Sequence, residues 1–307
     1  MNIFITGATG QLGRELVPRL LARGARLTLL VRGLEKAARL FPGCALVRGD
    51  VTAAGLGLDR PQRPDAVYHL AGDIDLGSAH NERVWAVNFQ GAANVLAFCR
   101  ENSVPALFYA GTAYTEKGRN IYEKSKKAAE RLVEAGGIGR TTIFKLGILV
   151  PEESGAGELS ASALSQFVNG IARVLGRPGQ EERALRIKGL PGATLNLVPT
   201  GLAAGFMAAA AKPGKFWLTH PEPVKLEELA RWMGEALKAR LSFEPEFRMT
   251  PAEALFHRAA KPFLPYLQGD DFPSHLAGAP RLSAEVIKKI VAAYLPKTGY
   301  FSAAGQP

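Results

Sequence analysis

Cysteine is scarce in this 307-residue chain, and its scarcity excludes two kinds of protein. Cys44 and Cys99 are its two cysteines, and no CxxC spacing occurs, so the sequence encodes neither a disulfide framework nor a cysteine-based zinc site. The five histidines also show no metal-ligand spacing. We therefore expect no bound metal, and two reduced, buried thiols in a cytoplasmic protein.

Long apolar runs are missing too. The weakly polar stretch over residues 195–211 contains Asn196 and Pro199 and falls short of the roughly 20 strongly apolar residues that a membrane span needs. Residues 1–7 have no basic stretch ahead of an apolar one, so they are typical of a first strand and not of a secretory signal. We expect no membrane partner.

Acidic residues are outnumbered, with 28 Asp and Glu against 38 Lys and Arg, which gives a net charge of +10. The basic residues are scattered through predicted helices: Arg19, Arg23, Lys36, Arg39, Arg131, Arg173, Arg231 and Lys238. This distribution favours a solvated arginine-rich surface over a nucleic-acid interface. Attraction of a small polyanion, such as NADP or a coenzyme A thioester, is the alternative.

Strand-like and helix-like segments alternate through the first half of the chain. A β-branched run over residues 2–6, a helix-period stretch over 11–23 and an apolar run over 26–31 form a βαβ unit. Further strands are predicted at 45–47, 66–70, 106–110 and 141–146, and longer helices at 79–101 and 122–135. This alternation predicts an α/β protein with a Rossmann-type, doubly wound parallel sheet.

The alternation stops after Pro151. A polar loop over residues 152–158 and a helix over 159–175 are followed by more mixed segments: strands at 194–198 and 215–219, a small-residue helix ending at 211, and helices at 226–237 and 252–263. We predict a nucleotide-binding domain over residues 1–150, to which 190–212 returns. Residues 151–307 form mostly a smaller mixed α/β substrate-binding domain, and 298–307 a frayed tail.

A glycine loop lies between the first strand and the first helix. Gly7 permits a tight turn, Gly10 lets the backbone approach a pyrophosphate, and Gly13 allows the helix to pack closely on the strand. The helix start adds free N–H donors, which suit an anion. The predicted contacts of this loop are Gly7, Thr9, Gly10, Gln11, Leu12 and Gly13. A tight turn with no ligand is the alternative.

The second strand ends at Arg32, where NAD-specific proteins usually have an acidic residue for the ribose hydroxyl. A guanidinium suits a 2′-phosphate, so Arg32 favours NADP, and Arg14 could add a second contact. The alternative for both is an exposed surface arginine. Asp50 and Val51 are placed to meet the adenine ring, although an Asp in a turn can also cap backbone amides.

Tyr122 and Lys126 are spaced i, i+4 at the start of a predicted helix, which puts them on one face. A nearby ammonium and a cationic nicotinamide both favour the tyrosine phenolate, so the pair could transfer a proton, and Lys126 could also bind the nicotinamide ribose. An exposed helix carrying an unrelated Tyr/Lys pair is the alternative.

Thr112 lies just beyond the fifth predicted strand, at the carboxyl edge of the sheet, where its hydroxyl could donate to a substrate carbonyl oxygen or could instead bond its own backbone. Asn88 lies on a helix expected to pack against the helix of Tyr122 and Lys126, with structural and functional roles equally open.

Together these segments resemble the extended short-chain dehydrogenase/reductases, the NAD-dependent epimerase/dehydratase-like proteins. The resemblance spans nearly the whole chain, through TGATGQLG at 6–13, YHLAG at 68–72, and residues 88–96 and 122–126. It implies that Thr112, Tyr122 and Lys126 match the catalytic positions. It also implies that Leu70, Ala71, Gly72 and Asn88 contact the cofactor, together with Tyr122 and Lys126.

Softer matches, LVR at 30–32, residues 109–114, LNLVP at 195–199 and FWLT at 216–219, point to the branch of thioester reductases and fatty acyl-CoA reductases. That branch implies NADPH-dependent reduction of a thioester or aldehyde. Gly111, Gly147 and Gly201 depart from its pattern, where Ser, Pro and Asp are usual.

Three functions follow from this interpretation. The first is an NADP(H)-dependent oxidoreductase that reduces a carbonyl or thioester in a small, anionic substrate, either an acyl thioester or a nucleotide-linked compound. The second is a sugar-nucleotide epimerase or dehydratase of the same fold, and the third is a non-catalytic NADP-sensing protein. The helices over 79–101 and 122–135 could form a homodimer contact, although packing on the sheet explains their apolar faces equally well.

Overall fold

A computed structural model gives the fold and describes residues 1–60, 62–76, 81–151, 163–176 and 183–294. The chain divides into two compact units. The first contains Met1–Gly147, Val198–Thr219 and Ser274–Ala277. The second contains the described residues of Ile148–Leu197, His220–Pro273 and Gly278–Pro307.

The chain up to Gly147 alternates strands with helices, as its hydrophobic pattern predicts. Its elements are β1 (Asn2–Thr6), α1 (Gln11–Ala22), β2 (Arg26–Val31), α2 (Leu34–Leu40), β3 (Ala45–Arg48), β4 (Ala66–His69), α3 (Asn81–Trp85), α4 (Gly91–Glu101), β5 (Ala106–Thr112), α5 (Ile121–Glu134) and β6 (Arg140–Leu146). A π-helical turn, Ala86–Gln90, joins α3 to α4.

The later elements are shorter and less regular. They are β7 (Ile148–Val150), α6 (Ala163–Leu175), β8 (Ala184–Lys188), β9 (Thr194–Leu195), β10 (Leu197–Pro199), α7 (Thr200–Ala209), β11 (Gly214–Leu218), β12 (Val224–Lys225), α8 (Leu226–Leu237), β13 (Arg240–Glu244), α9 (Pro251–Ala260) and α10 (Ala284–Tyr294). No helix in the described ranges combines the length and apolarity that a membrane crossing requires.

The first unit is built on a seven-stranded sheet in the order β11-β6-β5-β4-β1-β2-β3. Each neighbouring pair of strands is parallel. The predicted α/β class and Rossmann-type sheet are therefore confirmed. The predicted return of residues 190–212 differs in its bounds: Val198–Thr219 belongs to the first unit and includes β11, which lies beyond residue 212 and pairs with β6.

Both faces of the sheet are covered, which explains why β5 is buried along its whole length. On one face, Phe4 belongs to a buried cluster with Leu96 of α4. On the other, the rings of Tyr68 and Phe108 stack at 4.3 Å, and the Tyr68 hydroxyl donates to the carbonyl of Met207 in α7. Helices on both faces leave the carboxyl edge of the strands as the exposed place for a ligand.

The strand order reverses between β1 and β4. The chain first adds β2 and β3 on one side of β1, then crosses to add β4, β5 and β6 on the other. Thr6 and His69, the last residues of β1 and β4, lie side by side in register. In open α/β sheets, ligands bind beyond the carboxyl ends of the strands at such a reversal.

The second unit has its own small sheets and helices. β8 pairs with β13 in parallel, and β9 pairs with β12 antiparallel. The rings of Phe167 in α6 and Phe256 in α9 meet edge to face at 5.7 Å. This is mixed α/β structure, as predicted for the later part of the chain.

Several predicted boundaries differ from the structure. The helix over 252–263 ends at Ala260, and the strand over 194–198 is split into β9 and β10 by Asn196, whose side chain bonds the backbone N–H and carbonyl of His220. The loop at 152–158, the first residues of the helices at 79–101 and 159–175, and the tail at 298–307 lie outside the described residues.

The two cysteines differ in their surroundings. Both are free thiols, and Cys99 is fully buried in α4, as expected. The expectation of burial was wrong for Cys44, which is only half-buried because it directly precedes β3, the edge strand of the main sheet.

Candidate active site

Gly7 turns the chain at the end of β1. Its φ of +74° favours glycine, and a Cβ there would lie 2.5 Å from the backbone nitrogen of Ala71. A side chain at this position would therefore push away the segment that follows β4. The predicted cofactor residues Leu70, Ala71 and Gly72 are in this way brought against the glycine loop.

The other two glycines of the loop have different surroundings. A Cβ on Gly13 would overlap the carbonyl oxygen of Ala8, so helix α1 can pack closely on the loop only with glycine there. Gly10 is exposed and occupies the N-cap of α1, and no side chain caps the helix there. The first turn of α1 therefore presents backbone N–H groups suited to an anion.

Three further loop residues have defined positions. The Gln11 amide donates a 2.7 Å hydrogen bond to Thr200 at the start of α7, and Leu12 is buried. The Nε atom of Arg14 donates to the carbonyl of Thr9 at 3.1 Å. Arg14 is thus folded back on the loop, and Gln11 joins the loop to the returning segment.

Arg32 lies exposed just beyond the end of β2, and its guanidinium has no hydrogen bond or ion pair with any described residue. Asp50 adopts the capping role: its Oδ1 accepts from the backbone N–H and the hydroxyl of Thr52, both at 2.9 Å. Val51 is buried, and its carbonyl accepts from Asn94 at 2.8 Å. Adenine contacts by Asp50 and Val51 stay a prediction.

Helix α5 has a firmly fixed start. Asn120 caps it by accepting from the backbone N–H of Glu123 at 2.9 Å. The buried Glu123 carboxylate in turn accepts from the backbone N–H and the Nε of Arg119, each at 2.7 Å. This closed set of contacts holds Tyr122, which lies between Asn120 and Glu123, in a defined place.

The structure brings Tyr122 and Thr112 together. Their side chains are hydrogen-bonded, although one comes from α5 and the other from the last residue of β5. Thr112 is buried, and its hydroxyl oxygen also accepts from the N–H of Tyr114 at 3.3 Å. Burial is the main cause that raises the pKa of Tyr122 to about 12. The negative charge of Glu123 also raises this pKa, whereas the hydrogen bond with Thr112 lowers it.

Lys126, one turn further along α5, is directed at strand β5. Its Nζ donates a 2.7 Å hydrogen bond to the carbonyl of Ala110 and lies 4.6 Å from the centroid of the Tyr109 ring. Burial lowers the pKa of Lys126 to about 8, and the negative charge of Glu130 opposes this shift. The pKa of Lys126 therefore lies closer to neutral pH, where its ammonium can exchange a proton.

Asn88 occupies the π-helical turn between α3 and α4. Its Oδ1 accepts from the backbone N–H of Asp73 at 2.8 Å, and its Nδ2 donates to the Asp73 carbonyl and to the hydroxyl of Ser125. π-turns often occur at functional sites. Asn88 thus ties the segment after β4 to helix α5, next to Lys126.

Gly72 lies between these groups. A Cβ there would be 3.3 Å from Oδ1 of Asn88 and 3.8 Å from Nζ of Lys126. The segment formed by residues 70–72 therefore contacts the glycine loop on one side and the Asn88 and Lys126 side chains on the other. The candidate cofactor residues and the Thr112, Tyr122 and Lys126 side chains lie at one edge of the first unit.

Two buried polar residues near Lys126, Thr6 and His69, were missed as site candidates. They share a 2.7 Å hydrogen bond between the Thr6 hydroxyl and the His69 ring, which lies 5.7 Å from the ring of Tyr109. Burial lowers the pKa of His69 to about 3, and the Lys126 charge lowers it further. Polar residues in otherwise apolar strands, near their carboxyl ends, were the signal that could have identified both.

Metal ligands do not gather at this edge. No group of three or more His, Cys, Asp or Glu side chains among the described residues could hold a metal ion.

A model of the NAD dependent epimerase/dehydratase family matches residues 3–173 of the chain. Over 151 residues the chain is 31% identical to the 2-alkyl-3-oxoalkanoate reductase of Shewanella oneidensis. This match covers 43% of this chain and 38% of that protein. Over 162 residues it is 28% identical to 4-hydroxy-2-methyl-3-oxo-4-farnesyl-3,4-dihydroquinoline-1-oxide ketoreductase of Stigmatella aurantiaca, covering 47% of this chain and 48% of the other. The matches thus span less than half the length of either relative.

Solved structures match the fold over almost the whole chain. The UDP-glucose 4-epimerase of Thermotoga maritima, solved with UDP-glucose, has a TM-score of 0.70 at 16% identity and covers 97% of this chain and 99% of its own. The UDP-glucose 4-epimerase of Thermus thermophilus, solved with NAD, has a TM-score of 0.65 at 20% identity and covers 96% and 99%. At these identities the likeness establishes the fold alone.

Proposed function

The chain belongs to the NAD dependent epimerase/dehydratase family, and we propose that it acts there as an NADP(H)-dependent oxidoreductase that reduces a carbonyl or thioester group. The proposed site consists of Thr112, Tyr122 and Lys126. In this proposal the first unit binds the cofactor and the second unit binds most of the substrate.

One observation supports this proposal above the others: the hydrogen bond between Thr112 and Tyr122 at the edge that also holds the glycine loop. A phenol aligned by a neighbouring hydroxyl can deliver a proton to a developing alkoxide. The glycine loop reaches this edge through residues 70–72, so a dinucleotide bound by the loop has a continuous path toward Lys126.

The residues present fit a nicotinamide dinucleotide. The Gly7 turn and the uncapped first turn of α1 suit a pyrophosphate, held by Thr9, Gly10, Gln11, Leu12 and Gly13. Arg32, with Arg14, would bind the 2′-phosphate of NADP, and Asp50 and Val51 the adenine. Leu70, Ala71, Gly72, Asn88, Tyr122 and Lys126 would contact the nicotinamide half. When bound, the cofactor supplies the hydride.

The side chains of this edge would then manage the proton. Thr112 would orient the Tyr122 hydroxyl and stabilise the negative charge that develops on the substrate oxygen. Tyr122 would donate its proton to that oxygen, and the Lys126 ammonium would favour the resulting phenolate. Because burial raises the pKa of Tyr122 to about 12, its release of a proton depends on positive charge brought close to it.

The curated relatives favour net reduction of an oxo group. One is named a reductase of a 2-alkyl-3-oxoalkanoate and the other a ketoreductase. A small oxo compound with a negative charge, such as an oxo acid or its acyl thioester, agrees with the name of the first relative and with the net positive charge of this chain.

The test of this function starts with the cofactor. We would titrate the protein with NADPH and with NADH by fluorescence, for wild type and for Arg32→Ala. The expected result is a preference for NADPH that falls about tenfold or more in the variant, the loss of a charge-assisted hydrogen bond. Arg26→Ala, at the opposite end of the same strand, is the matched control and should leave the preference unchanged.

A screen of oxo acids, aldehydes and acyl thioesters with NADPH would follow. Oxidation of NADPH by one of them should be lost in Tyr122→Phe and kept in Tyr68→Phe, whose hydroxyl bonds α7 on the opposite face of the sheet. No preference for NADPH, together with no oxidation across the screen, would overturn the reductase proposal.

A second candidate is a sugar-nucleotide epimerase or dehydratase, because the matching family model includes both classes. In such an enzyme the cofactor is oxidised again within each turnover. NAD that stays bound through desalting, with no net NADPH oxidation, would favour this candidate. The exposed Arg32 at the end of β2, which pairs with no described residue, favours the reductase.

A further inference from the structure

The ammonium of Lys126 is held by two consecutive residues of β5. It donates to the carbonyl of Ala110 at 2.7 Å, and it lies over the ring face of Tyr109 at 4.6 Å from the centroid. Lys126 is 5% exposed and Tyr109 is fully buried. The lysine has therefore exchanged most of its hydration for one carbonyl oxygen and one aromatic face.

The negative charge of Glu130 raises the pKa of Lys126, but this carboxylate also binds two other lysines. Glu130, one turn along α5, is bound by the ammonium of Lys145 at 2.9 Å and by that of Lys215 at 2.9 Å. Its charge is already balanced by two lysines. The negative face of an aromatic ring attracts a desolvated ammonium, and this attraction strengthens as water is excluded.

We propose that Tyr109 is a positioning residue whose ring face, not its hydroxyl, holds the Lys126 ammonium against Ala110 and keeps it positively charged. This inference rests on the proposed function, in which Lys126 must be cationic to favour the Tyr122 phenolate. The hydroxyl of Tyr109 is buried and has no hydrogen-bond partner among the described residues. It is therefore the ring that contributes the contact.

Two other titratable groups interact with Lys126, His69 from β4 and Glu130 from α5, and Tyr122 of α5 faces the Tyr109 ring. His69 is neutral through the working pH range because burial lowers its pKa to about 3. Burial raises the pKa of Tyr109 well above its ordinary value, so its phenol is also neutral. Neither becomes charged near pH 8, where Lys126 titrates.

The test observes Lys126 directly. The side-chain carbon next to Nζ would be followed by NMR against pH in protein labelled with ¹³C-lysine, with the signal assigned from its loss in Lys126→Arg. Wild type should titrate near pH 8. Tyr109→Phe, which keeps the ring, should match wild type, and Tyr109→Leu should titrate about one pH unit lower.

Two results would overturn the proposal: a Tyr109→Phe titration shifted as far as that of Tyr109→Leu, or a Tyr109→Leu titration equal to wild type. Tyr109→Met provides a second non-aromatic side chain that fills the buried site, and it should repeat the shift of Tyr109→Leu. Thermal unfolding of each variant would identify any that does not fold.

Activity gives a separate readout once a substrate is found. The loss of kcat/KM at high pH should begin about one pH unit lower in Tyr109→Leu and be restored in Tyr109→Phe, with the KM for NADPH unchanged. If no substrate is reduced, the proposed function fails, while the NMR titrations still decide the role of Tyr109.

Discussion

Thr112 and Tyr122 are hydrogen-bonded side chains that reach the same point from different elements, the end of strand β5 and the first turn of helix α5. Nine residues lie between them in sequence, and the Asn120 cap fixes where the helix starts. The bond thus depends on the strand, the loop and the helix start together. It is the contact most directly tied to the proposed proton transfer.

Replacing Thr112 tests that contact. Thr112→Val keeps the shape of the side chain and removes the hydroxyl, so the pKa of Tyr122 should rise further because its bond with Thr112 lowers it. We expect kcat for the reduction to fall about 10- to 100-fold, within the range of general-acid effects. Steady-state kinetics would measure this. Thr112→Ser should recover most of the loss, and full activity in Thr112→Val would contradict the assigned role.

Gly7 and Gly24 form a matched pair for the glycine loop. Both have positive φ, +74° and +77°, but a Cβ would strike the Ala71 backbone at Gly7 and would meet nothing within 4 Å at Gly24. Gly24→Ala should cost about 1 kcal/mol of unfolding free energy from backbone strain alone. Gly7→Ala should cost more and also weaken NADPH binding. Urea unfolding and fluorescence titration would check this; equal effects of the two changes would refute the close approach of residues 70–72.

His69 should make the protein less stable in acid. Its pKa is about 3 in the folded chain, well below the ordinary value near 6.5, so the unfolded chain takes up a proton first as the pH falls. Stability present above pH 6.5 is then lost between about 6.5 and 3, by up to about 1.4 kcal/mol per pH unit. Denaturant unfolding at pH 7, 6 and 5 would measure this loss of unfolding free energy. His69→Gln should flatten this dependence, and an unchanged slope in that variant would contradict the role of His69.

Glu130 balances the buried Lys145, which is 1% exposed and also donates to Thr115 at 2.5 Å. Glu130→Gln would leave that ammonium buried without its carboxylate and should destabilise the fold by about 3–5 kcal/mol. Glu134→Gln removes an exposed carboxylate that also binds Lys215, so it should cost about 1 kcal/mol or less. Urea unfolding would measure the loss of unfolding free energy in each variant. Similar losses in both would contradict the role of Glu130 in balancing the charge of the buried Lys145.

The fold was predictable because its main signals are local. The glycine loop directly follows an apolar strand, and the strands of the first half alternate with helices at regular spacing, so the parallel sheet follows from pattern alone. The i, i+4 spacing of Tyr122 and Lys126 likewise predicts a shared helix face. Their catalytic roles stay predictions.

Long-range contacts were not predictable in the same way. The partners of Asn88 and His69, and the π-turn that positions Asn88, depend on segments that are distant in sequence. Lys126 was expected to act on Tyr122, but its direction toward Ala110 and Tyr109 is set by the packing of α5 on β5. The pairing of β8 with β13 gives no sequence signal because 51 residues separate the two strands.

Strand β11 is the last to join the main sheet, since Gly214–Leu218 pairs with Thr142–Leu146 of β6. During synthesis on the ribosome, about 70 residues therefore follow β6 before β11 is complete and can pair with the free edge of β6. During that interval β6 has unpaired backbone groups on one side, the kind of edge that invites association with other chains. A fragment that stops at Gly147 would keep this edge permanently open, so it should associate with other chains more readily than the full-length protein does.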